Sequence, residues 1–292
     1  MNYGQTRQAP RNCRKSTFLM DYMATQHSSN VTQVPQQLPI WPEQTRGFPN
    51  SLARSSLFTV ANFRKGARAH FKRATIATLK GITITYSGEE LRQDDEDAYL
   101  QILHCSRMQD LGTEVRFTAH SMLTELGWTK NSASYKRLVD CLDRLKATSI
   151  AVTVELPSGR ENYTGSLIRS FRWREEHGNT PMREWKILLE PEIVALFQPS
   201  GYSRVDWKLR LTLPPLAKWL HSFYHTHKNC YPIKVETLHR LTGSDVKELR
   251  KFRYKLKLAL QLLVDKGFFR AAQIDARSDL VVVERNLALA QE

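Results

Sequence analysis

Two stretches of the 292-residue chain read as the same succession of elements. In the first, "DAYLQILHCSRM" reads as a helix, "EVRF" as a short strand, "TAHSMLTELG" as a helix and "NSASYKRLVDCLDRLKAT" as a longer helix. Two strands follow, "SIAVTVEL" and "GSLIRSFRWR", about a "PSGREN" turn. In the second, "PPLAKWLHSFYHTH", "YPIKV", "ETLHRLTG" and "SDVKELRKFRYKLKLALQLLVDKG" again run helix, strand, helix, long helix, and "FFRAAQID" with "LVVVERN" closes a hairpin. Helix, strand, helix, tight turn, helix, hairpin is the order of a winged helix, a helix-turn-helix with a β-hairpin appended. The expected fold is therefore α+β, with two tandem winged-helix domains.

The turns agree with this reading. Phe117 to Gly127 and Ile233 to Gly243 are equal in length, and each ends on a glycine that tolerates the left-handed conformation closing a short helix. Asn131 or Ser132 in the first copy, and Ser244 or Asp245 in the second, are suited to cap the next helix. Between the copies, "MREWKILLEPEIVALF" and "VDWKLRLTL" are expected to give a strand, a short helix and a strand that extend the first domain's sheet. Residues 1–50 are rich in Gln, Asn, Ser, Thr and Pro without periodicity, which does not offset the entropy of ordering. The expected organisation is a disordered, flexible N-terminal arm over 1–50, a first winged-helix domain with added strands over 51–205, and a second over 206–292.

Charge indicates a partner. The chain carries 43 Lys+Arg against 29 Asp+Glu, a net +14 that suits contact with something anionic. With Leu249 as origin and 100° per residue, Leu249, Phe252, Leu256, Leu260 and Leu263 form one apolar stripe. Opposite lie Lys247, Lys251 and Tyr254, flanked by Arg250 and Lys255. A helix entering a major groove presents its N-terminal half to base edges and phosphates, so these five are DNA-binding candidates. The first copy is weaker: Lys130, Ser132, Lys136 and Arg137 face out, but Asp140 and Asp143 follow on the same side and would repel phosphate. "FRKGARAHFKR" adds a basic segment, with Arg64, Lys65, Arg68, Lys72 and Arg73 placed to meet phosphates. Plain solvated surface is the competing reading of each.

Other chemistries compete with structural roles. His221, His225, His227 and Cys230 have metal-like spacing, but a helix ending in polar residues accounts for them, and no metal is expected. "HTH" beside Tyr224 echoes nicking enzymes, yet Thr226 stands where those carry an apolar residue on a strand. Asp94, Asp95, Glu96 and Asp97 could be imagined on Mg²⁺, but acids opening a helix suit its positive end, and consecutive residues do not all point at one ion. Cys13, Cys105, Cys141 and Cys230 are scattered and read as reduced thiols. No run approaches the roughly eighteen apolar residues of a membrane span, and no secretion-signal core opens the chain, so a cytoplasmic protein is expected.

"WPEQTRGFPNSLARSSLFTV", "ITITYSGEELRQDDEDAYLQIL", "LLEPEIVALF" and "YPIKVETLHRLTGSD" resemble, in order, segments of the TrfA-type plasmid replication initiators, from Trp41 to near Asn286. The resemblance implies a non-enzymatic initiator that binds repeated origin sites (iterons) in double-stranded DNA, promotes opening of adjacent AT-rich DNA and controls plasmid copy number. It implies recruitment of the host replicative helicase, the host initiator and the sliding clamp, and a monomer–homodimer equilibrium. It implies no cofactor, and the absence of a GxxxxGK[ST] phosphate loop agrees. For the clamp the nearest candidate is Gln37-Leu38-Pro39-Ile40-Trp41, which departs from the family's QLxLF form in residues and position. The alternative is a dimeric winged-helix transcriptional repressor, which would bind a lone palindrome rather than direct repeats.

Overall fold

A computed structural model describes residues 1, 37–61, 67–112, 114–173, 184–198 and 200–286. The described chain opens with β1 (Thr45–Pro49), a helical turn α1 (Asn50–Ala53), β2 (Phe58–Thr59), β3 (His70–Thr75), β4 (Ile82–Glu89) and β5 (Leu91–Arg92). There follow α2 (Gln93–Ser106), β6 (Val115–Phe117), α3 (Ala119–Glu125), α4 (Ser132–Lys146), β7 (Ser149–Leu156) and β8 (Gly159–Gly165). Then come β9 (Ser170–Trp173), β10 (Trp185–Leu188), a 3-10 turn at Pro191–Phe197, β11 (Tyr202–Asp206) and α5 (Trp207–Thr212). The second succession is α6 (Pro215–His225), β12 (Ile233–Lys234), α7 (Val235–Leu241), α8 (Leu249–Asp265), β13 (Phe269–Ile274) and β14 (Leu280–Arg285). The fold is α+β.

The sheets of the two copies differ. In the second, β12 pairs with β14, which pairs with β13, so the strand before the helix pair joins the hairpin behind it. In the first, β6 pairs instead with β10, which pairs with β9. The β7–β8 hairpin is extended by β4 and β3 into a four-stranded antiparallel sheet. Alternation decides this: Ile84 and Tyr86 of β4 lie opposite Val152 and Ile150 of β7, and all four are buried on one face. Of the intervening segments, β10 joins the first copy's β6 and β9, apart from the β7–β8 hairpin, and β11 pairs with β1.

Three local expectations change. The β7–β8 loop is only Pro157-Ser158, with Leu156 opposite Gly159, so the residues expected to turn run on as strand to Gly165 and bury Tyr163. "WKLRLT" is helical, not a strand, because the Asp206 carboxylate at the end of β11 accepts from the Leu209 N–H at 2.6 Å and caps α5. The arm expected over 1–50 does not reach 50: Leu38, Trp41 and Phe48 are buried, and β1 pairs antiparallel with β11 from Thr45–Asp206 to Pro49–Tyr202. Residues 2–36 lie outside the described residues.

The apolar residues pack as two clusters, one running from Leu38 to Trp207 and the other from Leu213 to Val283. The described residues from Gln37 onward nonetheless belong to one compact unit. A buried charge cluster at the start of α2 ties the two together. Asp94 and Asp95 accept from Arg137 (3.2 Å) and Arg144 (2.9 Å) of α4 and from Arg68 (3.3 and 2.6 Å). Glu96 and Asp97 meet Arg210 of α5 at 3.2 and 2.8 Å, and Asp97 also meets Lys218 of α6. Asp94, Asp95 and Cys141 bring ligand-type atoms within 4.8 Å of one another, but the guanidinium groups already engage these carboxylates.

The two glycine turns are not equivalent. Gly127 and Gly243 both have positive φ, +64° and +56°. A Cβ on Gly127 would meet only Leu211 at 3.7 Å, whereas one on Gly243 would meet the Thr59 methyl at 2.7 Å, where the Val60 N–H donates to the Thr242 carbonyl. Gly127→Ala is expected to cost about 1–2 kcal/mol for the left-handed conformation. Gly243→Ala is expected to cost roughly 1–3 kcal/mol more through overpacking. Urea midpoints at constant m-value test this; equal losses would mean that β2 does not constrain the second turn.

Candidate nucleic-acid interface

α8 is amphipathic in the way its period requires. Phe252, Leu256, Ala259, Leu260 and Leu263 are buried, while Arg250, Lys251, Tyr254, Lys255, Lys257 and Leu258 are exposed. The helix starts later than expected, at Leu249, with Glu248 as N-cap residue. Ser244 does not cap it, because its hydroxyl accepts from the Val246 N–H, and the Val246 carbonyl lies 2.7 Å from His239 Nε2. These local bonds hold 244–248 outside the helix. Lys247 is thus exposed in the connection rather than on α8, and Lys251 pairs with exposed Glu248.

The hairpin behind α8 is clasped to it. Arg253 donates to both carboxylate oxygens of Asp279 at 2.8 and 2.9 Å, and this hydrogen-bonded pairing lowers the Asp279 pKa. Asp275 accepts from the Arg277 and Ser278 N–H groups, which shapes the tip and leaves Arg277 exposed. Spacing alone did not mark Arg253, Lys257, Leu258 or Arg277. At 100° per residue Leu258 falls opposite Leu249, so a signal for it was present in the sequence.

In the first copy, Asn131 caps α4 by accepting from the Ser134 N–H at 2.9 Å. Lys130, Ser132 and Lys136 are exposed, but Lys136 is engaged by Asp140 at 3.0 Å. Arg137 departs from expectation: it turns inward to Asp94 and lies 3.9 Å over the Trp128 ring. Of the basic segment, Arg64 and Lys65 lie outside the described residues. Arg68 is committed to buried Asp94 and Asp95, which corrects its assignment as a phosphate contact. Lys72 and Arg73 are exposed on β3, at a bulge where Arg73 has φ 47°.

The other candidates sit in packed surroundings. His221 and His225 approach through their Nε2 atoms at 3.2 Å beside Phe268, and His227 turns to the Phe223 carbonyl. Burial, with Arg285 adding to it, pushes His225 down to about 3. Among the described residues these histidines and Cys230 do not bring three ligand atoms together. Tyr224 is fully buried, edge-on to Phe269, and burial raises its pKa. The clamp candidate peptide is also committed: Leu38 and Trp41 are buried, and Trp41 Nε1 donates to His104 Nδ1 at 3.0 Å. Leu38 and Trp41 cannot plug a partner's groove without leaving their own core, whereas Ile40 is exposed.

The family model described as TrfA protein matches residues 13–285. The chain belongs to the TrfA family. A TrfA relative, the plasmid replication initiator protein TrfA of Escherichia coli, is 31% identical over 246 residues, covering 84% of this chain and 63% of its own length. The chain thus spans less than two thirds of that TrfA protein. Two crystal structures of domains 2 and 3 of RctB share the fold of this TrfA-family chain, both at TM-score 0.55. They are 12% and 11% identical, cover 82% and 81% of this chain, and are each covered over 98% of their length. No helix of the described residues is long and apolar enough to cross a membrane.

Proposed function

We propose that this chain is a plasmid replication initiator that binds double-stranded DNA through two tandem winged-helix modules and acts without catalysis. The observation that carries the reading is the outward face of α8, where Arg250, Lys251 and Lys255 surround Tyr254 and no carboxylate follows until Asp265. A helix so charged, set behind a tight turn and before a hairpin, is built to lie in a major groove with its cations on phosphates. Direct repeats in an origin are the target, opening of adjacent AT-rich DNA the consequence, and host helicase and initiator the recruited partners. A monomer–dimer equilibrium would set copy number by removing one module from the DNA.

The first module is the weaker contact, since Arg137 is held by Asp94 and the outward side near Lys136 also carries Asp140 and Asp143. It still adds affinity, because the second contact of one chain is intramolecular. Footprinting on the cognate plasmid's origin region tests the proposal. Protection of direct repeats beside an AT-rich stretch is expected. A single protected palindrome in the chain's own promoter, with the origin bare, would replace it by the repressor reading.

A further inference from the structure

The outward face of α8 is cationic at its rim but apolar at its centre. Tyr254 and Leu258 stand one helical turn apart, 67% and 54% exposed, on the side opposite the buried stripe. Among the described residues, α8 is the only helix that carries large exposed apolar side chains. Leu258 is more than half in water, so it contributes little to the core beneath it. Lysines flank it at 255 and 257, with Lys251 and Arg250 a turn or two nearer the N-terminus. An apolar centre ringed by cations matches a major groove, where phosphates form the rim and the thymine C5 methyl is the apolar group on the floor. A protein partner would need a strongly acidic rim to match it.

We infer that Leu258, with Tyr254 beside it, reads thymine methyl groups, so that α8 selects T at two positions. Four residues advance a helix by about 6 Å, close to two base-pair steps of about 3.4 Å. The inference rests on the DNA-binding proposal and adds the base chemistry that the face selects.

The test uses the full chain and duplexes from its protected sites, or from a random pool if the origin sequence is not known. Each thymidine is replaced singly by deoxyuridine, which removes the methyl and keeps the base pair. Affinity is expected to fall about fourfold at each of two positions about two base pairs apart, the worth of one buried methyl group. Leu258→Ala is expected to bind the thymidine duplex more weakly and to be indifferent to that same replacement, so the two changes do not add. Unchanged thermal unfolding of the variant would show that the effect is not one of folding.

Two results overturn the assignment while leaving DNA binding intact. One is a Leu258→Ala protein that still discriminates at the same positions. The other is an unaltered chain that binds but discriminates nowhere, which would give the patch to a protein contact. If the unaltered chain binds no duplex at all, the DNA-binding proposal fails and the inference with it.

Discussion

Arg210→Ala is expected to lower stability by about 3–5 kcal/mol, the cost of leaving buried carboxylates without their cation. Arg210 is fully buried and donates to Asp97 at 2.8 Å and to the Ser222 hydroxyl at 2.6 Å, with Glu96 at 3.2 Å. Lys218 remains on Asp97 in the variant, so Glu96 is the more exposed to the loss. Burial already raises the Glu96 pKa in the folded chain, with Arg210 opposing the rise. A raised folded pKa favours folding at low pH, and that contribution is lost as pH climbs through it. Removing Arg210 raises it further, so the deficit should be larger at about pH 8 than at about pH 5. Adding Glu96→Gln should recover part of the loss. Guanidinium unfolding of the three proteins at both pH values is the measurement, and a deficit below about 1 kcal/mol at the higher pH would refute the role.

Lys251→Ala with Lys255→Ala is expected to reduce the slope of log K against log[salt] by about 1.8, at about 0.9 for each phosphate left without its cation. Both lysines are exposed on α8, and Lys251 gives up only a surface pair with Glu248, so the fold should be unaffected. Lys136→Ala with Arg137→Ala should behave differently. Lys136 is offset by Asp140, and loss of Arg137 removes an ion pair to Asp94 and a cation–π interaction with Trp128, so stability falls more than the salt slope. Filter binding of both double variants over a salt series, with unfolding curves alongside, separates the cases. An unchanged slope for the Lys251/Lys255 pair would reduce the α8 face to solvated surface.

The features legible in the sequence are local ones. The repeated order of helices and strands, the glycines closing α3 and α7, and the buried stripe Phe252–Leu256–Leu260–Leu263 follow from periods of two and 3.6 and from the left-handed turn. The exposure of Arg250, Lys251, Tyr254 and Lys255 follows from the same period. Leu258 obeys that period too, but it lies beyond the N-terminal half of the helix, where base contacts are expected. The delayed start of α8 is also a short-range effect, decided by Ser244 and Val246 bonding within their own turn and to His239 rather than to the helix.

Long-range pairing settled the rest. Residues 63–73 and 94–97 read as a basic run and an acidic run. Only the folded chain sets Arg68 beside Asp94 and Asp95, or brings Arg210 across to Glu96 and Asp97. The same holds for residues 38–50, whose polar composition suggested an arm until β11 supplied a strand and His104 a partner for Trp41. A charge on a sequence carries no sign of its burial. Burial is fixed when distant elements enclose it, and the desolvation cost then makes the nearest opposite charge its obligatory partner.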